Sequence, residues 1–274
     1  KERKEITVDP AEFGTYVHAV LENTAREVKE MGGFPEVSLE QTLEIADRFS
    51  ESYAAEHFSQ LDSQRMVYLF RRNTQELRMV VQELWEELQQ SQFQPEDFEV
   101  NFGGAEGLPP IAIPAQRMNA ILRGFVDRMD TWEHAGNTYY RIVDYKTGPK
   151  EFDYCDVFNG IGLQMLLYMF ALRDSGEEHL GQHPIPVGVQ YFPARVRYLS
   201  TDGRPEDEDA EKKRRKEWRR EGLLLRDEEI LKAMEPGEEI KRLNYKVKKD
   251  GTLDGDLASR EEMKLLEGYV FRTL

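Results

Sequence analysis

Apolar positions recur at helical spacing through the first third of the chain and then give way to alternation. Phe13, Val17, Val20, Leu21 and Val28 return to one face of a helix. Asp9-Pro10 opens that helix as an N-cap and first-turn proline, and Gly32-Gly33 ends it. Ser38 and Gln41 have the spacing of a capping box for a second helix, which is expected to run to about Leu61. A third is expected over Gln64 to Gln90, carrying Val67, Phe70, Leu77, Val81, Leu84 and Leu88. Residues 1–92 therefore read as an amino-terminal helical layer.

Strand patterns follow Pro95. FEVNF (98–102) alternates as a half-buried strand does, and IAI (111–113), AILRGFVDRMDTW (120–132) and TYYRIVDYK (138–146) continue the series. HAGN (134–137) supplies a turn that makes the last two a hairpin. A helix from about Asp153 to Arg173 and an apolar strand, PVGVQYF (186–192), come next. This order over residues 95–195 predicts an α/β fold with a central mixed β-sheet flanked by α-helices. In the remainder, 196–274, the segment DGRPEDEDAEKKRRKEWRREG (202–222) reads as an exposed helix or mobile insertion. A final helix is expected from Ser259, with Glu262 completing a capping box and Met263, Leu265, Leu266, Val270 and Phe271 on its apolar side. The expectation is one domain over residues 1–274.

Composition narrows the function classes. With 274 residues and 39% hydrophobic content, the chain can bury a sizeable core. No apolar run reaches about 18 residues, and KERKEITVDP lacks the apolar core of a signal peptide, so a cytoplasmic protein without a membrane span is expected. Cys155 is the single cysteine, which leaves no internal disulfide and no multi-cysteine metal site. A net charge of −15 weighs against nucleic acid as partner. The basic runs KKRRKEWRR (212–220) and FRR (70–72) work the other way, and metal ions can offset acidic residues locally.

The hairpin carries the candidate chemistry. Asp144 and Lys146 lie two apart in a strand and leave the same face. Asp127 and Asp144 are equidistant from the Ala135–Gly136 midpoint, so the hairpin sets them opposite each other. Two like charges opposed in a sheet repel, and a divalent cation would resolve the conflict. Oxygen ligands without cysteine suit Mg²⁺, with Mn²⁺ also admitted. Such an ion, with a lysine beside it, fits phosphodiester hydrolysis. The plainer alternative is an ordinary strand in which Asp144 and Lys146 form a surface ion pair.

The segments GFVDRMD (124–130), IVDYKTG (142–148) and LQMLLYMFAL (163–172) resemble the RecB/AddB-like nuclease domains of the PD-(D/E)XK superfamily. The resemblance implies a restriction-endonuclease-like core and a catalytic set of Asp127, Asp144 and Lys146, with Gln164 and Tyr168 matching later motif positions. Gln164 and Tyr168 are four apart on the expected helix and share a face; helix packing alone would explain them equally well. FGTYVHAVLE (13–22) resembles the family's first helix, which makes His18 a metal ligand beside Asp127 and Asp144, with Glu22 one turn further on. Domains of this family are similar in carrying a four-cysteine iron–sulfur cluster. Cys155 does not match that pattern, so a trimmed domain or a relative without the cluster is implied.

By resemblance the chain would act as a Mg²⁺-dependent DNA exonuclease in a helicase–nuclease that processes double-strand breaks for recombination, partnered by an AddA-like helicase. No GxxxxGK[ST] is present, so ATP is not read in this chain. Two rivals remain: a catalytically inactive DNA-binding or scaffold domain of the same fold, and a metal-dependent phosphoesterase on another substrate.

Overall fold

The computed structural model describes residues 10–57, 64–104, 107–114, 119–175, 180, 184–196, 213 and 215–273. Three long helices come first: α1 (Pro10–Glu30), α2 (Leu39–His57) and α3 (Gln64–Gln90). They are followed by β1 (Gln94–Phe102), β2 (Ile111–Pro114), β3 (Asn119–Leu122), β4 (Gly124–His134) and β5 (Asn137–Lys146). Next are α4 (Tyr154–Phe158), α5 (Gln164–Ser175), β6 (Ile185–Pro193) and β7 (Glu221–Leu225). The described chain closes with α6 (Glu228–Met234), β8 (Tyr245–Val247), β9 (Leu253–Gly255), β10 (Leu257–Ala258) and α7 (Arg260–Thr273).

Six strands form the main sheet in the order β1-β4-β5-β6-β7-β10. β5 pairs parallel to β6 and β7 to β10, and the other neighbours are antiparallel, so the sheet is mixed as expected. Each face buries its own core. On one side α1, α2 and α3 pack Leu21, Val81 and Leu84 against Phe98, Val143, Tyr145 and Phe192 of the sheet. On the other, α5, α6 and α7 cover Met129, Ile142 and Val189.

Local signals explain most element ends. Ser38 and Gln41 exchange the two hydrogen bonds of a capping box, and Ser259 and Glu262 do the same at α7. Both central residues of the β4–β5 turn take positive φ, Ala135 at 49° and Gly136 at 77°, as a two-residue turn matched to strand twist requires. Residues 58–61 of the expected second helix lie outside the described residues.

Four expectations need correction. The single strand expected over 120–132 is two, β3 and β4, divided at Arg123; Gly124, which opens β4, packs directly under Tyr168. The helix expected from Asp153 to Arg173 is also two, because Gly160 and Gly162 between them adopt φ values of 78° and 70°. Leu265 is 72% exposed on α7, so the apolar side of that helix is Met263, Leu266 and Val270.

The fourth correction concerns the polar tail, which contributes β7 and β10 to the sheet. Its basic run is partly structural. Arg220 is buried and donates to Glu87 at 2.9 and 2.8 Å and to Glu83 at 3.2 Å. Glu87 also accepts from Arg141 at 2.8 Å, and Asp130 ties Arg141 and Arg128 together. This network joins α3, the sheet and the segment before β7, and its three guanidiniums hold the Glu87 carboxyl well below the usual range despite its burial. In the smaller basic spot, Arg72 pairs with Glu76 at 3.3 Å.

Candidate active site

The site lies at the end of the β4–β5 hairpin opposite its turn. Pairing runs without slip from His134↔Asn137 to Arg128↔Val143. One further step of that register sets Asp127 opposite Asp144, as the turn position requires. At this step, however, side-chain alternation breaks. Met129 and Val126 both belong to the core under α5, although they lie three apart. The Asp127 carboxylate turns sideways to the neighbouring strand, where Oδ2 accepts from the Tyr145 backbone N–H at 2.6 Å.

His18 approaches from α1. Its Nδ1 is 3.4 Å from Asp127 Oδ1, and its ring meets Tyr145 edge-on with centroids 5.7 Å apart. Burial pushes the imidazole down, but the contact with Asp127 and the charges of Asp127 and Asp144 outweigh it, so its pKa is raised above the ordinary value of 6.5. Asp144 Oδ2 lies 2.5 Å from Lys146 Nζ. The contact is close, yet Oδ2 is shielded from water without a well-formed hydrogen bond. Burial first, and the Asp127 charge second, raise the Asp144 carboxyl above its usual range, while Lys146 and His18 pull it back.

Gln164 and Tyr168 lie to one side of these groups. Gln164 Nε2 donates to Tyr168 Oη at 2.8 Å, and that hydroxyl donates to the Arg123 carbonyl at 3.3 Å. Their described hydrogen bonds thus hold the start of β4 and do not reach the carboxylates. Glu22 pairs with Arg26 at 2.9 Å and lies close enough to Glu99 to raise that carboxyl.

Glu99 is a functional candidate that the sequence reading missed. In the β1–β4 register Phe98 pairs with Arg128 and Val100 with Val126, which sets Glu99 beside Asp127. Its φ of 47° is unusual for a non-glycine residue, and it sends Phe98 and Val100 into different cores where alternation would give them one face. Burial, Glu22 and Asp127 raise the Glu99 carboxyl. A glutamate between two buried apolar residues reads as ordinary alternation; only the register across three strands brings it into line with Asp127 and Asp144. Tyr191 of β6 is a second addition. It pairs with Asp144 in register, and burial with the Asp144 charge pushes its hydroxyl up to about 12.

The donor set suits a hard divalent cation: two carboxylates with raised or shared charge, an imidazole and a shielded carboxylate oxygen. Among the described residues no three such groups are gathered closely enough to form a ready-made cage. The amide of Tyr145 and the ammonium of Lys146 occupy one oxygen of each aspartate, and these contacts compensate the paired charges locally.

Comparison with known proteins agrees with this arrangement. A family model described as the PD-(D/E)XK nuclease superfamily matches residues 1–256. The chain belongs to that superfamily. Among PD-(D/E)XK relatives, an ATP-dependent helicase/deoxyribonuclease subunit from Acetivibrio thermocellus is 33% identical over 287 residues, covering 100% of this chain and 25% of the relative. The same-named protein of Moorella thermoacetica is 34% identical over 276 residues, covering 97% of the chain and 24% of the relative. That of Clostridium novyi is 32% identical over 284 residues, with 100% and 25% covered. The chain thus spans about a quarter of the length of these curated relatives. No helix among the described residues is long and apolar enough to cross a membrane.

Proposed function

We propose that the chain is a Mg²⁺-dependent deoxyribonuclease domain acting as an exonuclease, with Asp127, Asp144 and Lys146 as its catalytic set and His18 as a further metal ligand. The observation that carries this reading is the meeting of His18, Asp127, Asp144 and Lys146 at one end of a hairpin in a PD-(D/E)XK chain. Asp127, Asp144 and His18 would hold the cation, and Mn²⁺ would substitute for it. When bound, Mg²⁺ would lower the pKa of a water and offset the charge of the attacked phosphate.

The protein's own groups supply the rest. Tyr145 fixes the Asp127 carboxylate through its backbone N–H, which leaves Oδ1 directed at His18. Lys146, held at Asp144, presents a positive charge where an attacked phosphate gains negative charge. Gln164 and Tyr168 act as positioning residues for the start of β4. By analogy with the helicase/deoxyribonuclease relatives, the chain would work in the cytoplasm on DNA ends at double-strand breaks, beside an AddA-like helicase.

The test is cleavage of end-labelled single- and double-stranded DNA with and without Mg²⁺, comparing the parent with Asp144→Ala. Metal-dependent shortening from an end by the parent alone is the expected result. Parent and variant cutting alike, or neither cutting with Mg²⁺ or Mn²⁺, would overturn the reading.

A further inference from the structure

A cavity of about 230 Å³ opens beside Lys146, between the loop after β5, the end of β6 and the segment leading into β7. Lys146 forms one wall, and Lys150, Lys216 and Arg219 line the rest together with Tyr191. We propose that this cavity binds a phosphate of the DNA strand adjacent to the one being hydrolysed, with Lys150, Lys216 and Arg219 as its ligands. The proposal deepens the nuclease reading and rests on it for the identity of the strand.

Three observations carry it. The first is position: a groove that shares Lys146 with the candidate catalytic set is where the strand must continue once its reacting phosphate is seated there. The second is the state of the cations. Lys150 Nζ lies over the Tyr191 ring, 5.5 Å from its centroid, and Arg219 donates to the neutral Asn244 Oδ1 at 3.3 Å. Among the described residues no carboxylate forms an ion pair with Lys150, Lys216 or Arg219. Arg220, next in sequence, is by contrast fully engaged with Glu87 and Glu83. The basic run therefore divides into a guanidinium that holds the fold and neighbours whose charge faces a cavity.

The third observation concerns the acids in the same wall, Glu151, Glu217 and Glu221. Glu221 is turned to Asn244, accepting from its Nδ2 at 2.9 Å. Its carboxyl is raised by burial, by Asp256 and by Glu151. It is thus the acid least costly to keep beside an anion. A phosphate entering here would replace water around the cations and release counterions, which makes salt dependence the natural readout.

The experiment measures binding of a short fluorescein-labelled single-stranded DNA by anisotropy in EDTA, so that no cleavage intervenes, across a salt titration. The 274-residue parent is compared with Lys150→Gln, Lys216→Gln, their combination with Arg219→Gln, and the charge-retaining Lys150→Arg. Lys264→Gln, an exposed lysine on α7, serves as control. Each neutralisation is expected to weaken binding about threefold and to lower the slope of log K against log salt by about 0.7. Lys150→Arg and Lys264→Gln should keep the parent slope. A neutral methylphosphonate backbone should abolish the difference between parent and triple variant. An unchanged slope in the triple variant, or no DNA binding by the parent, overturns the proposal. A parent that cleaves DNA while the triple variant keeps its slope leaves the nuclease reading standing and removes the subsite. Slope loss with no cleavage under any metal does the reverse.

Discussion

Tyr145 donates its backbone N–H to Asp127 Oδ2 at 2.6 Å, so a candidate metal ligand also closes the hairpin ladder where regular pairing stops. This double use separates two substitutions. Asp127→Asn keeps an amide oxygen able to accept from Tyr145, whereas Asp127→Ala leaves that N–H without its partner. Both should abolish cleavage. The alanine variant should lose about 1 kcal/mol more stability in urea melts, the usual cost of a missing partner. Equal stability of the two would show that water replaces the carboxylate without loss.

The raised pKa values of Asp144 and His18 have the same sign of effect on the metal-free protein. For Asp144, the folded state holds its proton above the unfolded value of 3.8, so stability falls as pH rises through the folded pKa. For His18, the pairing with Asp127 contributes fully below 6.5 and is lost as pH rises through the raised folded value. Asp144→Asn should therefore raise the Tm of the metal-free protein at neutral pH by about 2–4 °C, corresponding to about 1 kcal/mol. The gain should vanish at a pH low enough to protonate Asp144. A lower Tm for Asp144→Asn at neutral pH would mean that the contact with Lys146 outweighs burial and repulsion from Asp127.

Gly124 lies under Tyr168 so closely that an added Cβ would stand 1.8 Å from Oη. Gly124→Ala should cost about 1–3 kcal/mol through overpacking. Tyr168→Phe alone should cost about 1 kcal/mol by removing the hydroxyl that bridges Gln164 and Arg123. The double variant should be less destabilised than the sum, because the phenyl ring lacks the atom in closest conflict. Strict additivity in a double-mutant cycle would refute this packing account.

Arg220 gives the test that separates fold from binding within the basic run. Arg220→Ala should destabilise the protein by about 3–5 kcal/mol, since it leaves Glu87 with one fewer buried partner. Measured on the fraction that remains folded, the salt dependence of DNA binding should match the parent. A lower salt slope with unchanged stability would make Arg220 a phosphate ligand after all.

The hairpin was legible because turn position and strand period are both local. Ala135-Gly136 fixes the register, and the register fixes which residues oppose each other. The helical layer was legible for the same reason, with Ser38 and Gln41 marking a start by chemistry close in sequence. Other features depend on distant partners. β7 is a short strand next to a charged run, and its place is set by Gly188 and Leu224 pairing across the sheet and by Leu257 on its far side. Arg220 looks like any surface arginine until α3 brings Glu87 to it. Glu99 enters the site only through the pairing of β1 with β4 and a positive φ that its sequence does not announce.

Lys146 and Asp144 touch at 2.5 Å, yet their removal should have different consequences. Deleting the Asp144 carboxylate removes an oxygen donor, so Asp144→Ala should lose both Mn²⁺ binding and cleavage. Deleting the ammonium removes a positive charge that competes with a cation for Asp144 Oδ2. Lys146→Ala should therefore bind Mn²⁺ at least as tightly as the parent while its cleavage rate at saturating metal falls by about 100-fold or more, the scale of losing one preorganised electrostatic group. Calorimetric titration with Mn²⁺ beside single-turnover cleavage separates the two quantities. Lys146→Arg sharpens the comparison, because it keeps the charge but spreads it over a planar fork too large for the same contact with Asp144. Partial activity in the arginine variant is expected if charge near the attacked phosphate is what Lys146 supplies. Parent-like cleavage by Lys146→Ala with metal saturating would remove Lys146 from the chemistry and leave the reading on the two aspartates and His18.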